Sequence, residues 1–428
     1  MKVMAGKSLI NPEFLYGGME PLLLMVSLVA LAFAAQEACR FLRFPRVIGY
    51  IGVGVLIGLQ PLRALWYNGE NTQILAFLAQ VGIVLLFFFS GLEISLKQFR
   101  KNFSLSSKAA FLNTLIPLAL GFLAARQLGF NDMASAVIGV SLSVSAASLS
   151  VELLEEMDLL KSRLAQAILS IAALSDVLQL VAISLLLAWL GVSGTGLALY
   201  AVPLQFLAFA LVFLFFRQII APKIIALAEA QQSHATHFSA ALLITLLLAV
   251  IAEALGLGVL VGAMFGGALV RHILLSKAVH KPWEEHQLAE SVHTFSFGFF
   301  VPMFYVWVGF NTGLTELAAN WWLGLLFAVI ASIGSLTGTI LGSRGSGKSL
   351  NESLVIGWGI NGKGDVELVL AALALKVGWI DAALFSTLVL MAALTMFAST
   401  FMFQRAVKQC TPELLKEGEI SQEQAASY

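Results

Sequence analysis

The sequence predicts an all-α integral membrane protein of about thirteen transmembrane helices, arranged as two inverted halves. Three observations carry this. Of the 428 residues, 59% are hydrophobic and only 12% charged, with a mean hydropathy of +0.89; soluble domains average about 25% charged residues. The apolar residues gather into about thirteen runs, most of them long enough to cross a bilayer core. One run in each half is interrupted, at Ser143–Ser150 and at Asn361-Gly362-Lys363-Gly364-Asp365.

In order, the runs cover 20–39, 46–60, 73–94, 105–125, 133–153, 164–190, 195–216, 237–255, 257–271, 291–311, 319–342, 351–374 and 380–403. The first follows a weakly basic tail with no small-residue cleavage pattern, so it reads as a span and not as a removable signal. The second and ninth are short and rich in glycine. The fifth is interrupted by the cluster Ser143, Ser145, Ser148 and Ser150, and the sixth carries Ser175 and Asp176 at its middle. The eleventh ends on Gly334, Gly338 and Gly342, a four-residue spacing that lets helices approach closely. The twelfth is broken by glycines and charges, and the thirteenth has no charge in its interior. These boundaries give a tail over 1–19, a membrane domain over 20–403 and a polar tail over 404–428.

Thirteen spans put the two ends on opposite sides. With the N-terminus outside, the outer segments hold only Lys2, Lys7, Arg63, Arg126 and Lys376. Lys363 lies within a span, and the rest of the 25 Lys and Arg face the cytoplasm. This is the asymmetry that orients membrane proteins, and one span more or fewer would destroy it. Spans two to six and nine to thirteen then form five-span repeats with breaks at matching places. Five is odd, so the repeats are inverted. Interrupted helices at corresponding positions of two repeats point to a transport site near the midplane.

Asp176 is the residue that most needs an explanation. A carboxylate at the centre of a span costs about 2.5–3.5 kcal/mol on insertion scales. It can be neutralised by a hard cation or by a proton, so it is read as the group that exchanges one for the other. Ser145 and Ser148 by themselves fit serines that bond back to backbone carbonyls or ease helix packing. Ser175 and Gln179 flank the acid on its own helix. Lys363, Asp365 and Glu367 read as charges that compensate the helix ends exposed by the second break. Glu93 and Glu253 sit near span ends and read as interfacial. His272, His280, His286 and His293 surround an inner loop with Glu284, Glu285 and Glu290, either as a solvated loop or as a pH-sensing cluster.

Several classes are set aside. The formal net charge of +0 offers no basic patch for nucleic acid, and Cys39 and Cys410 alone give no metal or redox spacing. No cofactor is implied. Gly342-Ser343-Arg344-Gly345-Ser346-Gly347-Lys348-Ser349 fits the P-loop pattern, but it joins two membrane helices and not a strand and a helix, so no nucleotide is expected at 342–349. No paired intramembrane acids, His-Glu motif or Ser-His pair supports an enzyme.

Five segments in order resemble a known family: VIGYIGVGVLIG, QVGIVLLFFFSGLEISLKQF, AEALGLGVLVGAMFGGALV, FFVPMFYVWVGFNTGL and NGKGDVELVLA. The chain resembles the cation:proton antiporter superfamily, in the branch with bacterial sodium/proton exchangers and Kef-type potassium efflux transporters, over nearly all of residues 20–403. The resemblance implies two crossed broken helices in a core domain beside a dimerisation domain, elevator-like transport and a homodimer. It implies a cation site at Asp176 with Ser175, Ser145, Ser148 and Gln179. The chain departs from the family's electrogenic members twice. Ser175 stands where they carry a first acid, and the eleventh span has no lysine, with Ser335 or Thr337 near that place.

The expectation is a cell-membrane exchanger of Na+ or K+ for H+, electroneutral because it has one titrating acid, with its C-terminus in the cytoplasm. A sodium-coupled solute symporter and a non-transporting membrane sensor are the alternatives.

Overall fold

The computed structural model describes residues 19–42, 44–60, 62–63, 69–93, 103–160, 162–189, 202–230, 234–276 and 282–416, and among these it contains helices and no strand. Helices α1 (Met19–Leu42), α2 (Arg46–Gly58), α3 (Gly69–Glu93) and α4 (Phe103–Gln127) come first. The first broken helix is α5 (Asp132–Ser143) with α6 (Ala147–Glu156), followed by α7 (Arg163–Trp189). Next, α8 (Val202–Phe215) runs through a π-helical turn at Phe216–Ile220 into α9 (Ala221–Ala230), before α10 (His234–Ala254) and α11 (Val259–Ser276). A second π-helical turn, Ser296–Phe300, joins α12 (Pro282–Phe295) to α13 (Val301–Phe310). The chain ends in α14 (Leu314–Arg344), the second broken helix α15 (Leu350–Ile360) with α16 (Val366–Val377), and α17 (Ala382–Lys416).

Nine helices among the described residues are long and apolar enough to cross a membrane. The other expected spans fall on the short helices α2 and α11 and on the two broken pairs. The part of the seventh run before Val202 lies outside the described residues. The eleventh run opens on a kink: Asn320, its second residue, leaves helical geometry inside α14. The last helix continues past the thirteenth run to Lys416, so the start of the polar tail is helical.

The helices pack as two bundles. One contains α1–α3 and α8–α13, with α2 against α13 and α3 against α11. The other contains α4–α7 and α14–α17, with α4 against α14 and α14 against α17. The second bundle holds the two breaks. Its spine is the glycine-lined seam between α4 and α14. A Cβ on Gly334 would press on Pro117, one on Gly338 would strike the Leu112 carbonyl, and one on Gly342 would strike Ala109. Each half of this bundle thus contributes a straight helix, a broken helix and a second straight helix.

Caps explain why the half-helices start where they do. The Asn131 side chain accepts the Ala134 N–H at 2.8 Å and opens α5. Ser349 and Glu352 form a reciprocal capping box that opens α15. Gly378, with φ of 79°, closes α16 in the left-handed conformation that glycine adopts without strain.

Candidate functional site

The two breaks cross and are bonded to each other. The non-helical backbone of the first is only Val144–Ala146, narrower than the serine spacing suggested; that of the second is Asn361–Asp365. The Ala146 N–H donates to the Gly362 carbonyl at 2.8 Å, and Ser150 Oγ donates to the Gly359 carbonyl at 2.6 Å. Ser150 therefore lies on α6 and satisfies a carbonyl that α15 leaves open where it stops. A Cβ on Gly362 would press on Leu149 Cδ2, so the leucine side chain would have to move to admit one there.

Straight helices of the same half hold each break. In the first half, Asn113 on α4 donates from Nδ2 to Ser145 Oγ at 3.0 Å, and Gln179 on α7 donates from Nε2 to the Ser143 carbonyl at 3.4 Å. In the second, the Lys363 ammonium donates to Ser335 Oγ on α14 at 2.9 Å, and the Lys363 backbone N–H donates to Thr395 Oγ1 on α17 at 3.3 Å. Asn361 Nδ2 reaches Ser332 Oγ and Ser399 Oγ at 3.2 and 3.1 Å. Thr339 on α14 closes the link between halves by donating to Asn113 Oδ1 at 3.3 Å.

Asp176 is 4% exposed, on α7, and Ser90 Oγ on α3 donates to its Oδ2 at 3.0 Å. Ser175 and Gln179 are fully buried beside it. Ser175 Oγ and Gln179 Oε1 find no hydrogen-bond partner among the described residues. Buried oxygens left open in this way cost free energy unless an ion, proton or water completes them. Together with the Asp176 carboxylate they are the hard oxygen donors that suit a monovalent cation. Ser145 is buried and engaged by Asn113. Ser148 lies in the first turn of α6, and its side chain is outside the described residues.

The charged break is equally buried. Lys363 and Glu367 have no exposure, and Asp365 has 6%. The Tyr305 hydroxyl on α13 donates to Asp365 Oδ1 at 2.5 Å. No side chain donates to either oxygen of Glu367 among the described residues. Lys363 follows the C-terminus of α15, while Asp365 and Glu367 stand at the N-terminus of α16, the polarity that helix dipoles favour. The eleventh span lacks a lysine of its own, yet a positive charge lies beside Ser335 because Lys363 brings it from the second break. Thr337, the other position considered, is exposed.

The remaining candidates are placed elsewhere. Lys348 is ion-paired with Glu352, and the Ser349 hydroxyl caps α15, so the P-loop-like segment serves to end one helix and start the next. Glu253 is exposed. His293 is exposed on α12 and stacks on Phe297 with ring centroids 4.7 Å apart; His272 is half-buried on α11. His280 and the side chains of His286, Glu284, Glu285 and Glu93 lie outside the described residues. Among the described residues no group of three His, Cys, Asp or Glu side chains converges as a transition-metal site would. Sequence reasoning missed Ser90, Asn113, Tyr305 and Thr395. Each is a polar residue within an apolar run, which is the signal that could have found it.

The transmembrane sodium/hydrogen exchanger family matches residues 25–409. The chain is 26% identical over 388 residues to a Na(+)/H(+) antiporter of Enterococcus hirae, covering 90% of this chain and 98% of that one. It is 26% identical over 351 residues to the Na(+)/H(+)-K(+) antiporter GerN of Bacillus cereus, covering 82% of this chain and 87% of GerN. The structure of the sodium proton antiporter MjNhaP1 from Methanocaldococcus jannaschii superposes with a TM-score of 0.66 at 15% identity, covering 96% of this chain and 100% of that one, which establishes a shared fold. By its sequence over that whole length, the chain belongs to the sodium/hydrogen exchanger family, a family of transporters and not of enzymes.

Proposed function

We propose that this protein exchanges a monovalent cation, sodium or potassium, for a proton across the cell membrane, with both cargoes taking turns on Asp176. The observation that carries this reading is a nearly inaccessible carboxylate flanked by the open oxygens Ser175 Oγ and Gln179 Oε1. Family membership and the relatives named above support the cargo class. Ser145 and Ser148 of the crossing are the further candidate oxygens.

The exchange is electroneutral in this proposal. With Ser175 beside it, Asp176 is the one acid in the interior of the sixth span, so one proton replaces one monovalent cation. Lys363, Asp365 and Glu367 act as resident charges that compensate the second break. The working unit is a homodimer whose membrane domain spans 20–403, with the N-terminus outside and the C-terminus in the cytoplasm. The bundle containing both breaks moves against its neighbour as an elevator. That neighbouring bundle, α1–α3 with α8–α13, is the natural scaffold because it contains neither break.

The test is dequenching of a pH-sensitive dye in proteoliposomes challenged in parallel with sodium, potassium and lithium. Cation-dependent proton movement is the expected result. Solute uptake driven by sodium without proton exchange would favour a symporter, and neither flux would favour a sensor.

A further inference from the structure

Two side-chain hydrogen bonds run from the first bundle to carboxylates of the bundle that holds the breaks. Ser90 on α3 donates to Asp176 Oδ2 at 3.0 Å, and Tyr305 on α13 donates to Asp365 Oδ1 at 2.5 Å. Both donors are fixed within their own bundle. Beside Ser90, Gly91 lies so close to α11 that a Cβ would collide with the Met264 carbonyl, which leaves this turn of α3 no freedom to follow a neighbour. Tyr305 is buried and stacks on Tyr50, with centroids 6.5 Å apart and planes at 15°. The Tyr50 hydroxyl in turn donates to Gln36 Oε1 on α1 at 2.7 Å. One turn beyond Tyr305, a Cβ on Gly309 would collide with the Ile51 carbonyl, so α13 is clamped to α2.

Other contacts bridge the bundles without touching the site. Arg46 and Glu152 form a half-exposed ion pair at 3.5 Å, and Ser184 Oγ donates to the Leu257 carbonyl at 3.1 Å. What distinguishes Ser90 and Tyr305 is that their acceptors are a candidate cargo group and a residue of the charged break.

We infer that Ser90 is a positioning residue that tethers the broken-helix bundle to its neighbour while Asp176 carries no cargo, with Tyr305 as a cargo-independent hold at the other break. The inference rests on exchange at Asp176 as proposed above. A hydrogen bond to an ionised carboxylate is roughly twice as strong as one between neutral groups. Cargo on Asp176 removes that charge and weakens the tether at Ser90, while Tyr305 supplies a second hold at the other break. The Ser90 tether thus acts most strongly on the empty site, whereas the Tyr305 hold ends on Asp365 and is the same in every state. The empty site is the one state an exchanger must keep from crossing, since an empty return converts exchange into leak. A cargo can shift a conformational equilibrium only through such a difference between states.

The experiment measures exit of radioactive sodium and internal pH in the same proteoliposomes, with the membrane potential clamped. Ser90→Ala should lower the protons taken up per sodium released, whereas Tyr305→Phe should speed both fluxes and leave that ratio unchanged. The empty return in Ser90→Ala should rise roughly tenfold or more, the rate equivalent of one net hydrogen bond to a charged group. The double variant should show the ratio of Ser90→Ala, and Ser90→Thr should keep the native ratio. An unchanged ratio with a higher half-saturating sodium concentration would make Ser90 a cation ligand and overturn the tether. Equal loss of both fluxes with reduced thermal stability would overturn it in favour of packing. Asp176→Asn in the same assay tests the exchange site separately, because continued coupled exchange there would remove Asp176 without bearing on the ratio in the Ser90 and Tyr305 variants.

Discussion

The two broken helices share a support plan and differ in where they carry charge. In the first half the break is neutral, held by the amides of Asn113 and Gln179, and the acid sits on the following helix as Asp176. In the second half the break itself holds Lys363, Asp365 and Glu367, and the following helix offers only hydroxyls, Thr395 and Ser399. Thr395 stands about as far along the chain from Lys363 as Asp176 does from Ser145. The difference teaches that repeated architecture conserves hydrogen-bonding roles more strictly than charge. In the function proposed above, one half is built around a group that titrates with cargo, and the other around charges that stay.

The sharpest way to break that contrast is to neutralise the two corresponding positions. Asp176→Asn should reduce cation-dependent proton flux below detection while the protein still folds and inserts. Thr395→Ala should keep exchange and cost about 1–3 kcal/mol of stability, because the buried Lys363 N–H loses its acceptor. A thermal-shift series beside the flux assay reads both. If Asp176→Asn exchanges and Thr395→Ala does not, the roles of the halves are reversed.

Next in size is Lys363→Met. It leaves Asp365 and Glu367 buried without the nearby ammonium, and removing one member of a buried charged group costs about 3–5 kcal/mol. The variant should accumulate poorly in the membrane, and adding Glu367→Gln should recover part of the loss. A double-mutant cycle of melting midpoints measures this coupling. Independent, additive effects would mean that the second break is not a charge-balanced unit.

A smaller effect is expected at the neutral break. Replacing Ser145 and Ser148 together with Ala should raise the sodium concentration for half-maximal rate, with less change in the proton dependence. Equal changes on both axes would assign these serines to packing. The smallest expected effect is none at all. Moving one net charge through 100 mV costs about 2.3 kcal/mol, so an electrogenic cycle must respond to voltage. Exchange should run at the same rate with and without an imposed potential, and solid-supported-membrane recordings should show no sustained current. A current that follows the cation gradient would mean that a second group titrates, with Glu367 the first to examine.

The helical class and both breaks were legible in the sequence because they depend on local composition: apolar runs, and serines or glycines that interrupt them. The glycine spacing of the eleventh span likewise forecast a close seam, and α4 fills it. Less was legible wherever a side chain works across elements. The eleventh span lacks lysine in sequence, yet Lys363 reaches Ser335 from a different span. Ser150 read as part of an open break, but the helix has already resumed at Ala147 and its hydroxyl serves Gly359. Ser90 and Tyr305 gave no local signal beyond their polarity, because their partners lie 86 and 60 residues away.

The bond from Ala146 N–H to the Gly362 carbonyl has a consequence for how such a chain can vary over descent. A donor in one half completes an acceptor in the other, so the lengths of the two breaks are geometrically linked. Inserting or deleting one residue in either would slide the Ala146 amide past its carbonyl and rotate the resumed half-helix by about 100°. Length changes should therefore survive in the connections outside the crossing, while a change inside it would need a compensating change in the other half.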